Sequence, residues 1–258
     1  MSLFERGKPS HSGIAARLGN PFSNCRCGVN LTVIVPVYNE AATVGEVLDK
    51  LCREAAVTQV IVVDDGSTDG SKSTIEQFED DSRVRLFEHI TNQGKGRAIR
   101  TGLEHVRTEY VLIQDADLEY SPSDIVHMLE ATSRDGVDVV YGSRYLAPSE
   151  PHRGRVLHHL CIKVLNLMCR ILYGIRLTDE ATCYKLFRAE DLRCMKLSCV
   201  RFEFCPEVTA KAARMGLKIV EVPIRYTPRT VDEGKKIRLR DGIEAIWQLL
   251  RHRVSRFK

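Results

Sequence analysis

The chain has 258 residues, of which 43% are hydrophobic and 28% are charged, and this balance excludes a disordered or fibrous protein. Its formal net charge is only +4, so the composition does not indicate a nucleic-acid-binding protein. No stretch reaches the roughly 18 uninterrupted apolar residues of a membrane-spanning helix, which restricts any membrane contact to the surface.

Residues 1–29 combine Ser, Gly, Asn, Pro and basic residues without a continuous apolar core, and therefore indicate a flexible leader rather than a secretory signal. The remaining residues, 30–258, have the length of a single domain. The nine cysteines are odd in number, and only Cys25 and Cys27 lie close together, without zinc-knuckle spacing. We therefore expect reduced thiols in a cytoplasmic protein.

Strand-like and helix-like segments alternate along the first half of the chain. Strands are predicted at Leu31–Val37, Val60–Asp64, Val84–Glu88, Tyr110–Gln114 and Val137–Tyr141, and helices at Glu40–Arg53, Thr68–Phe78, 95–106 and 122–134, with Ser67 or Thr68 as an N-cap. Continuously apolar strands that alternate with helices are typical of an α/β fold, in which a mostly parallel sheet has helices on both faces.

After about residue 145 the alternation ends. A helix is predicted at Leu157–Tyr173, followed by a loop-rich stretch, one strand at Leu217–Val222 and a basic C-terminal helix. The polar residues of the first helix recur at four-three-four spacing, namely His159, Lys163, Asn166 and Arg170. Their single stripe leaves a broad apolar arc, which fits either a core helix or a helix lying in a membrane interface. Basic residues near the end of the chain would attract anionic headgroups: Arg240, Arg251, Arg253, Arg256 and Lys258.

Three acids follow the apolar strand at residues 110–113, namely Asp115, Asp117 and Glu119. In an extended segment, residues two apart point to the same face, so we expect the three carboxylates to lie together. Clustered carboxylates suit Mg2+ or Mn2+, ions that usually keep water and substrate phosphates as further ligands. Taken by itself, the motif is equally compatible with a solvated acidic loop.

Three more polar motifs follow strand ends, where the loops of a parallel sheet converge on a ligand crevice. Asp65 can accept hydrogen bonds from a nucleotide base, although a turn with a helix cap also explains its motif. Pro36–Glu40 places the ring of Tyr38 where it can line a base or ribose pocket. Asn92–Gly96 precedes a helix, so we expect its backbone N–H groups and Lys95 to face phosphate.

Taken in order, five motifs resemble those of the family 2 glycosyltransferases with a GT-A fold, and most of all the dolichyl- or polyprenyl-phosphate mannose and glucose synthases. The motifs are Val35–Glu40, Val63–Ser67, Gly94–Gly96, Asp115–Asp117 and Gly142–Arg144, within a likeness that covers about residues 31–250. The resemblance implies inverting transfer of a hexose from a GDP- or UDP-sugar to a polyprenyl or dolichyl phosphate, with Mg2+ or Mn2+ as cofactor. The protein would act in the cytoplasm or peripherally at the cytoplasmic face of a membrane.

By this resemblance, residues 30–145 form a nucleotide-sugar-binding half and residues 146–258 an acceptor-side half. The nucleotide donor would be bound by Pro36, Tyr38, Glu40, Val63, Asp65, Gly94, Lys95 and Asp115. Asp117 and Glu119 would hold the metal, although the family often has Gln at the second position. Catalysis would also depend on Arg144 and on Arg229 and Lys235 from a mobile loop over the donor diphosphate.

The acceptor side offers further candidates. Arg144, Arg153 and Arg155 would clamp the acceptor phosphate, and the acids that would contact sugar hydroxyls are Asp179, Glu180, Glu203 and Glu207. A phosphate acceptor is already anionic near neutral pH and needs no strong base, whereas a hydroxyl acceptor would need one such as Glu207. Transfer to a hydroxyl and a catalytically silent nucleotide-binding subunit stay open as alternatives. A sugar-nucleotide pyrophosphorylase is disfavoured because no glycine-rich loop opens the chain near residues 36–46.

Overall fold

A computed structural model describes residues 30–146, 156–229 and 239–255. The strands are β1 (Leu31–Val37), β2 (Val57–Asp64), β3 (Val84–Glu88), β4 (Tyr110–Ile113), β5 (Val139–Ser143), β6 (Lys185–Arg188) and β7 (Ile219–Pro223). The helices are α1 (Val44–Arg53), α2 (Ser71–Glu76), α3 (Lys95–Glu104), α4 (Ile125–Thr132), α5 (Val156–Tyr173), α6 (Ala189–Cys194), α7 (Phe204–Arg214) and α8 (Leu239–Val254). The leader and several residues named above lie outside the described residues: Cys25, Cys27, Arg153, Arg155, Lys235, Arg256 and Lys258.

The described strands form one sheet in the order β3-β2-β1-β4-β6-β5-β7. β1 runs parallel to both β2 and β4, β2 is parallel to β3, and β5 is parallel to β7. β6 runs antiparallel between β4 and β5. The predicted α/β fold with a mostly parallel sheet is confirmed, whereas β6 was missed by the sequence interpretation.

Helices cover both faces of the sheet, and β1 shows how the sequence produces this arrangement. Ile34 packs in one cluster with Ala98 and Ile99 of α3, while Val33 and Val35 pack in the opposite cluster with α1. Because alternate side chains enter different cores, a central strand must be apolar at consecutive positions. The carboxyl ends of the parallel strands are left uncovered by these helices and carry the polar motifs.

The predicted helix boundaries differ most after β1 and β2. α1 begins at Val44 and α2 at Ser71, several residues later than expected. The predicted N-cap at Ser67 or Thr68 is wrong, because both residues instead tie the β2 loop to the β1 loop. The Ser67 hydroxyl accepts a hydrogen bond from Asn39 N at 3.0 Å, and Thr68 N donates to Asn39 Oδ1 at 2.8 Å.

α5 and α8 pack side by side over the same face of the sheet. The hydroxyl of Tyr173 in α5 donates a hydrogen bond of 2.6 Å to the carbonyl of Leu249 in α8. Buried residues of both helices, including Cys169 and Ala245, belong to the core that contains α3. No helix in the described ranges is long and apolar enough to cross a membrane.

Candidate active site

The exits of β1, β2 and β4 meet at one edge of the sheet. The backbone N–H of Asp65, after β2, donates to the carbonyl of Val37 at 2.8 Å, and Pro36 is paired with Val63 across the two strands. Thr43 joins the β1 loop to the β4 loop, because its hydroxyl donates to the carbonyl of Ala116 at 2.7 Å. The three loops therefore form one connected surface, which we call the strand-exit edge, and Tyr38 lies half-buried on it.

The three acids after β4 lie on a turn, so the expectation of an extended segment was wrong. Leu118 has a positive φ of 60°, and the backbone N–H of Glu119 donates to Oδ1 of Asp117 at 3.1 Å. The turn still keeps the carboxylates close enough to interact. Burial, followed by the charges of Asp115 and Glu119, raises the pKa of Asp117 to about 6.

Each acid of this turn has its own partner. Asp115 forms an ion pair of 2.5 Å with Nζ of Lys95. Glu119 accepts a hydrogen bond from the backbone N–H of Arg229 at 2.9 Å and another from the hydroxyl of Tyr226 at 3.1 Å. Asp117 forms an ion pair with the guanidinium of Arg229 at 2.9 Å. Lys95 therefore contacts an acid, where phosphate had been expected.

Arg229 bridges two of the loops. Its Nη1 atom lies 2.9 Å from Oε2 of Glu40, and its Nη2 atom lies 3.3 Å from Oε1 of the same residue. Burial would lower the pKa of Arg229, but the contacts with Glu40 and Asp117 outweigh it and raise the pKa. The Nε atom is buried without a hydrogen bond. Arg229, which follows β7 in the chain, thus partly offsets the charges of acids that follow β1 and β4.

The donor set suits a divalent cation, although no three His, Cys, Asp or Glu residues in the described segments are arranged as a metal site. Carboxylate oxygens are the ligands that Mg2+ and Mn2+ prefer. Burial, together with the charges of Asp115 and Glu119, raises the pKa of Asp117 even beside Arg229, so a further cation would favour its anionic form. Asp117 and Glu119 therefore fit the ion chemically, provided that Arg229 gives up its contact with Asp117.

Asp65 holds the loop that follows β3. Its Oδ1 atom lies 2.6 Å from Nδ1 of His89 and accepts the backbone N–H of Gln93 at 2.9 Å, while Oδ2 accepts that of Gly94 at 2.7 Å. Nε2 of His89 lies 3.0 Å from the hydroxyl of Thr101. Sequence reasoning missed His89, because an isolated histidine beyond a strand carries no motif.

The backbone N–H groups at the start of α3 were expected to face phosphate. In the structure two of them already donate hydrogen bonds within the protein, so this helix end is not available for phosphate. The backbone N–H groups of Gly96 and Arg97 donate to the carbonyls of Arg201 and Val200 at 2.8 and 3.0 Å. Gly94 has φ of 97°, and a Cβ atom there would lie 2.4 Å from the Val200 carbonyl oxygen. The glycine is therefore needed because the loop at residues 200–201 covers this helix end.

Arg144 and Asp179 form a buried ion pair. Two guanidinium nitrogens and the backbone N–H of Arg144 contact the Asp179 carboxylate at 2.7, 2.7 and 3.1 Å. The guanidinium also lies 5.1 Å from the ring centroid of Tyr226, a cation–π contact. Asp179, which was predicted to contact the sugar, therefore orients the side chain of Arg144 instead. Arg144 is itself buried and not exposed on the surface.

Two other acids that were predicted to contact the sugar, Glu203 and Glu207, instead make contacts within the fold. Glu180 is fully buried and burial raises its pKa, while Glu203 accepts the backbone N–H of Arg201 at 2.7 Å. Glu207 accepts hydrogen bonds from Ser198 and from the backbone N–H of Cys199, at 2.6 to 2.8 Å, and pairs with Lys211 at 2.6 Å.

Glu207 is consequently a poor candidate base. Burial acts to raise its pKa, but the hydrogen bonds from Lys211 and Ser198 outweigh burial and lower it. Its carboxylate anchors the segment that contains Val200 and Arg201, whose carbonyls cover the start of α3. Glu207 therefore stabilises the segment that packs against the start of α3. Its carboxylate does not face the strand-exit edge as a proton acceptor.

Residues 32–195 match the family described as Glycosyl transferase family 2. The chain is 30% identical over 198 residues to glycosyltransferase AglJ from Haloferax volcanii, covering 76% of this chain and 63% of that protein. It is also 30% identical over 246 residues to undecaprenyl-phosphate mannosyltransferase from Micrococcus luteus, covering 88% of this chain and 100% of that protein.

The fold is similar to that of glucosyl-3-phosphoglycerate synthase from Mycobacterium tuberculosis, solved in complex with Mn2+, uridine diphosphate and glucosyl-3-phosphoglycerate. The TM-score is 0.65 at 20% identity, over 87% of this chain and 80% of that one. At this identity the likeness concerns the fold, and it agrees with the expected GT-A architecture.

Proposed function

Because the chain belongs to glycosyl transferase family 2, we propose that it transfers a hexose from a GDP- or UDP-sugar to a polyprenyl or dolichyl phosphate. The observation that carries this proposal is the strand-exit edge, where Asp65, Glu40 and the acid turn at Asp117 lie on connected loops. Such an edge can bind a base at one end and a diphosphate at the other. The relative from Micrococcus luteus, matched over its full length, acts on undecaprenyl phosphate by its name.

At the donor, Asp117 and Glu119 would hold Mg2+ or Mn2+, which when bound would make the nucleotide diphosphate a better leaving group. Asp115 would shape this site while its charge is offset by Lys95. Arg229 would move from Asp117 to the diphosphate and stabilise the negative charge that develops there. Lys235 would add positive charge, as the sequence predicts for this basic segment.

Asp65 would bind the nucleotide base with its carboxylate fixed by His89 and by the Gln93 and Gly94 amides. Those three contacts orient the carboxylate before the donor arrives. Pro36, Val63 and Tyr38 would complete the nucleoside pocket from β1 and β2. Glu40, released by Arg229 when the donor binds, would contact the nucleoside region.

At the acceptor, the chemistry favours a phosphate over a hydroxyl. A phosphate monoester is anionic near neutral pH and attacks the anomeric carbon without first losing a proton to a strong base. The base that a hydroxyl acceptor would need, Glu207, is occupied by structural contacts and has a lowered pKa. Arg144, oriented by Asp179, is the proposed source of positive charge on the acceptor side.

The test begins with thermal shifts for a panel of GDP- and UDP-sugars, with and without Mn2+, since a true donor stabilises the fold by mass action. The stabilising donor is then incubated with a polyprenyl phosphate in detergent, and the glycosylated lipid is detected by mass spectrometry. Asp117→Ala should abolish the product, whereas Asp80→Ala, on an exposed turn, should not.

Three outcomes separate the alternatives. Product from a polyprenyl phosphate supports the proposal. Transfer from the same donor to a hydroxyl acceptor but not to the lipid would replace the proposed acceptor. Donor binding without transfer or hydrolysis, unchanged in Asp117→Ala, would identify a silent nucleotide-binding subunit.

A further inference from the structure

The outer sides of α5 and α8 are unusually apolar. Of the eleven large apolar side chains that are exposed in the described ranges, seven lie on these two helices, with exposed fractions from 42% to 83%. We call them the α5–α8 face: Leu160, Leu167, Ile171, Ile243, Trp247, Leu250 and Val254. Exposed apolar side chains that are scattered singly are ordinary, but a contiguous group indicates a binding surface.

Helical geometry gathers these residues into one stripe on each helix. On α8 they recur at intervals of four, three and four residues, which at about 3.6 residues per turn keeps them on one side. The opposite side of α8 carries the buried residues Ala245 and Leu249. Since α5 and α8 pack against each other over the same core, their two outward stripes lie next to each other.

Basic residues flank both stripes. Lys163 and Arg170 are exposed beside the α5 stripe, and Arg251 and Arg253 are exposed on either side of the α8 stripe. Glu244 is the one fully exposed acid in the described part of these helices. An apolar stripe with a basic margin matches the interface of an anionic bilayer, where acyl chains receive the apolar groups and headgroups receive the cations.

A second copy of the chain matches this surface less well. A symmetric dimer brings the same surface of each subunit together, so the cations of one copy would face those of the other. An anionic bilayer satisfies both the apolar stripe and the positive margin, and charge complementarity therefore favours the bilayer.

α5 also contacts the acceptor side of the candidate site. Nδ1 of His159 lies 2.8 Å from the hydroxyl of Tyr145, the residue after Arg144. Asn166 donates to the carbonyl of Thr178 at 2.7 Å and accepts the backbone N–H of Glu180 at 2.9 Å. A surface that holds α5 on a bilayer therefore also holds the Arg144–Asp179 region close to it.

We propose that the α5–α8 face docks on an anionic membrane surface and so presents the acceptor side of the site to a lipid whose tail stays in the bilayer. The identity of that lipid as the acceptor rests on the proposed function, while the docking itself does not. Trp247 provides a direct probe, because it is the single tryptophan of the chain and is 58% exposed.

The experiment mixes the full chain, without donor or acceptor, with vesicles of phosphatidylglycerol and phosphatidylcholine or of phosphatidylcholine alone. We expect co-sedimentation with the anionic vesicles, much weaker binding to neutral ones, and a blue shift of the Trp247 emission. The double variant Ile171→Glu/Ile243→Glu keeps the probe and should bind anionic vesicles at least about tenfold more weakly. Val126→Glu is the matched control, since Val126 is exposed on α4 over the opposite face of the sheet.

Several results would overturn the docking surface. These are absence of vesicle binding, equal binding by the double variant, or equal binding to neutral vesicles. A dimer in sedimentation equilibrium with Trp247 emission already blue-shifted in buffer would assign the face to a second copy. Absence of vesicle binding by the unmodified chain, together with transfer to a detergent-solubilised polyprenyl phosphate, would refute the docking surface alone. Intact vesicle binding without any transfer would refute the proposed function alone.

Discussion

Arg229 places its Nη2 atom 2.9 Å from Oδ2 of Asp117, so a cation that follows β7 in the chain partly offsets the charge of the half-buried acid in the turn after β4. The same guanidinium contacts Glu40, and the backbone of Arg229 contacts Glu119. A divalent ion at Asp117 would compete with this guanidinium for one carboxylate. Binding of a metal ion to Asp117 would therefore require this ion pair to open.

Replacing Arg229 by Gln should strengthen Mn2+ binding to the nucleotide-free protein and weaken catalysis. Removal of the competing cation should raise Mn2+ affinity about tenfold, equivalent to about 1.4 kcal/mol. The transfer rate should fall about 10- to 100-fold, because positive charge is lost where the leaving diphosphate develops its own. Electron paramagnetic resonance of free Mn2+ measures the first effect and product formation the second.

Arg225→Gln is the matched control for this variant. Arg225 lies on the same segment but pairs with Asp124 at 2.9 Å, away from the acid turn. It should leave Mn2+ affinity and the transfer rate within about twofold of the unmodified protein, because its partner Asp124 lies outside the acid turn. Weaker Mn2+ binding by the Arg229→Gln variant would contradict the expected competition between Arg229 and Mn2+ for the carboxylate of Asp117.

The ionisation of Asp117 should make both stability and metal binding depend on pH. Its pKa is raised from 3.8 to about 6, so the folded protein binds this proton more tightly than the unfolded chain does. The stabilisation is thus present below about pH 4 and is lost as the pH rises to about 6, at most about 3 kcal/mol. Mn2+ needs the ionised carboxylate, so its affinity should fall as the pH drops below about 6.

Asp117→Asn isolates this effect. The difference in free energy of urea unfolding between the variant and the unmodified protein should grow in favour of the variant from about pH 4 to about pH 6. Asp80→Asn, on an exposed turn, should show no such trend. A constant difference across that range would mean that Asp117 does not titrate there in the folded protein.

His89→Leu should impair donor binding more than the chemical step. Asp65 would lose one fixed partner while keeping the Gln93 and Gly94 amides. Loss of one hydrogen bond to a charged group costs about 1.5–3 kcal/mol, so the KM for the donor should rise about tenfold or more while kcat changes little. His127→Leu, exposed on α4, is the control. A lowered kcat at unchanged KM would mean that His89 acts on the chemical step and not on donor binding.

Glu207→Gln should affect stability and leave the shape of the pH–rate profile intact. The amide presents N–H groups to Ser198, Cys199 and Lys211, which all donate to the native carboxylate. Breaking a buried ion pair in this way costs about 3–5 kcal/mol of unfolding free energy. Loss of the acidic limb of the profile would instead show that Glu207 acts as a base, in support of a hydroxyl acceptor.

The sequence predicted the parallel part of the sheet because both of its faces are buried. β1 was placed at its observed bounds, since consecutive apolar residues leave few other interpretations. β6 was missed because Lys185 stands at its start and is fully buried. Its ammonium group lies 3.6 Å from the ring centroid of Tyr141 and bonds the carbonyl of Glu180, and neither partner is visible in a periodic pattern.

The convergence of the strand-end motifs was predicted from the sequence, but the pairings between their side chains were not. Strand-end motifs converge in any parallel sheet, so the shared edge of Asp65 and the acid turn followed from the order of elements. Which cation meets which acid depends on contacts between distant segments. Lys95 with Asp115 and Arg229 with Glu40 therefore became visible only in the structure.

β6 lies between β4 and β5, although it follows both of them in the chain. During synthesis, β4 and β5 are therefore complete before the strand that joins them emerges from the ribosome. A nascent or truncated chain that ends before Lys185 keeps an open edge on β4, next to the acid turn, and unpaired edges of this kind recruit other chains. The strand that carries the acid turn at its exit therefore gains its second neighbour only after Lys185–Arg188 has been synthesised.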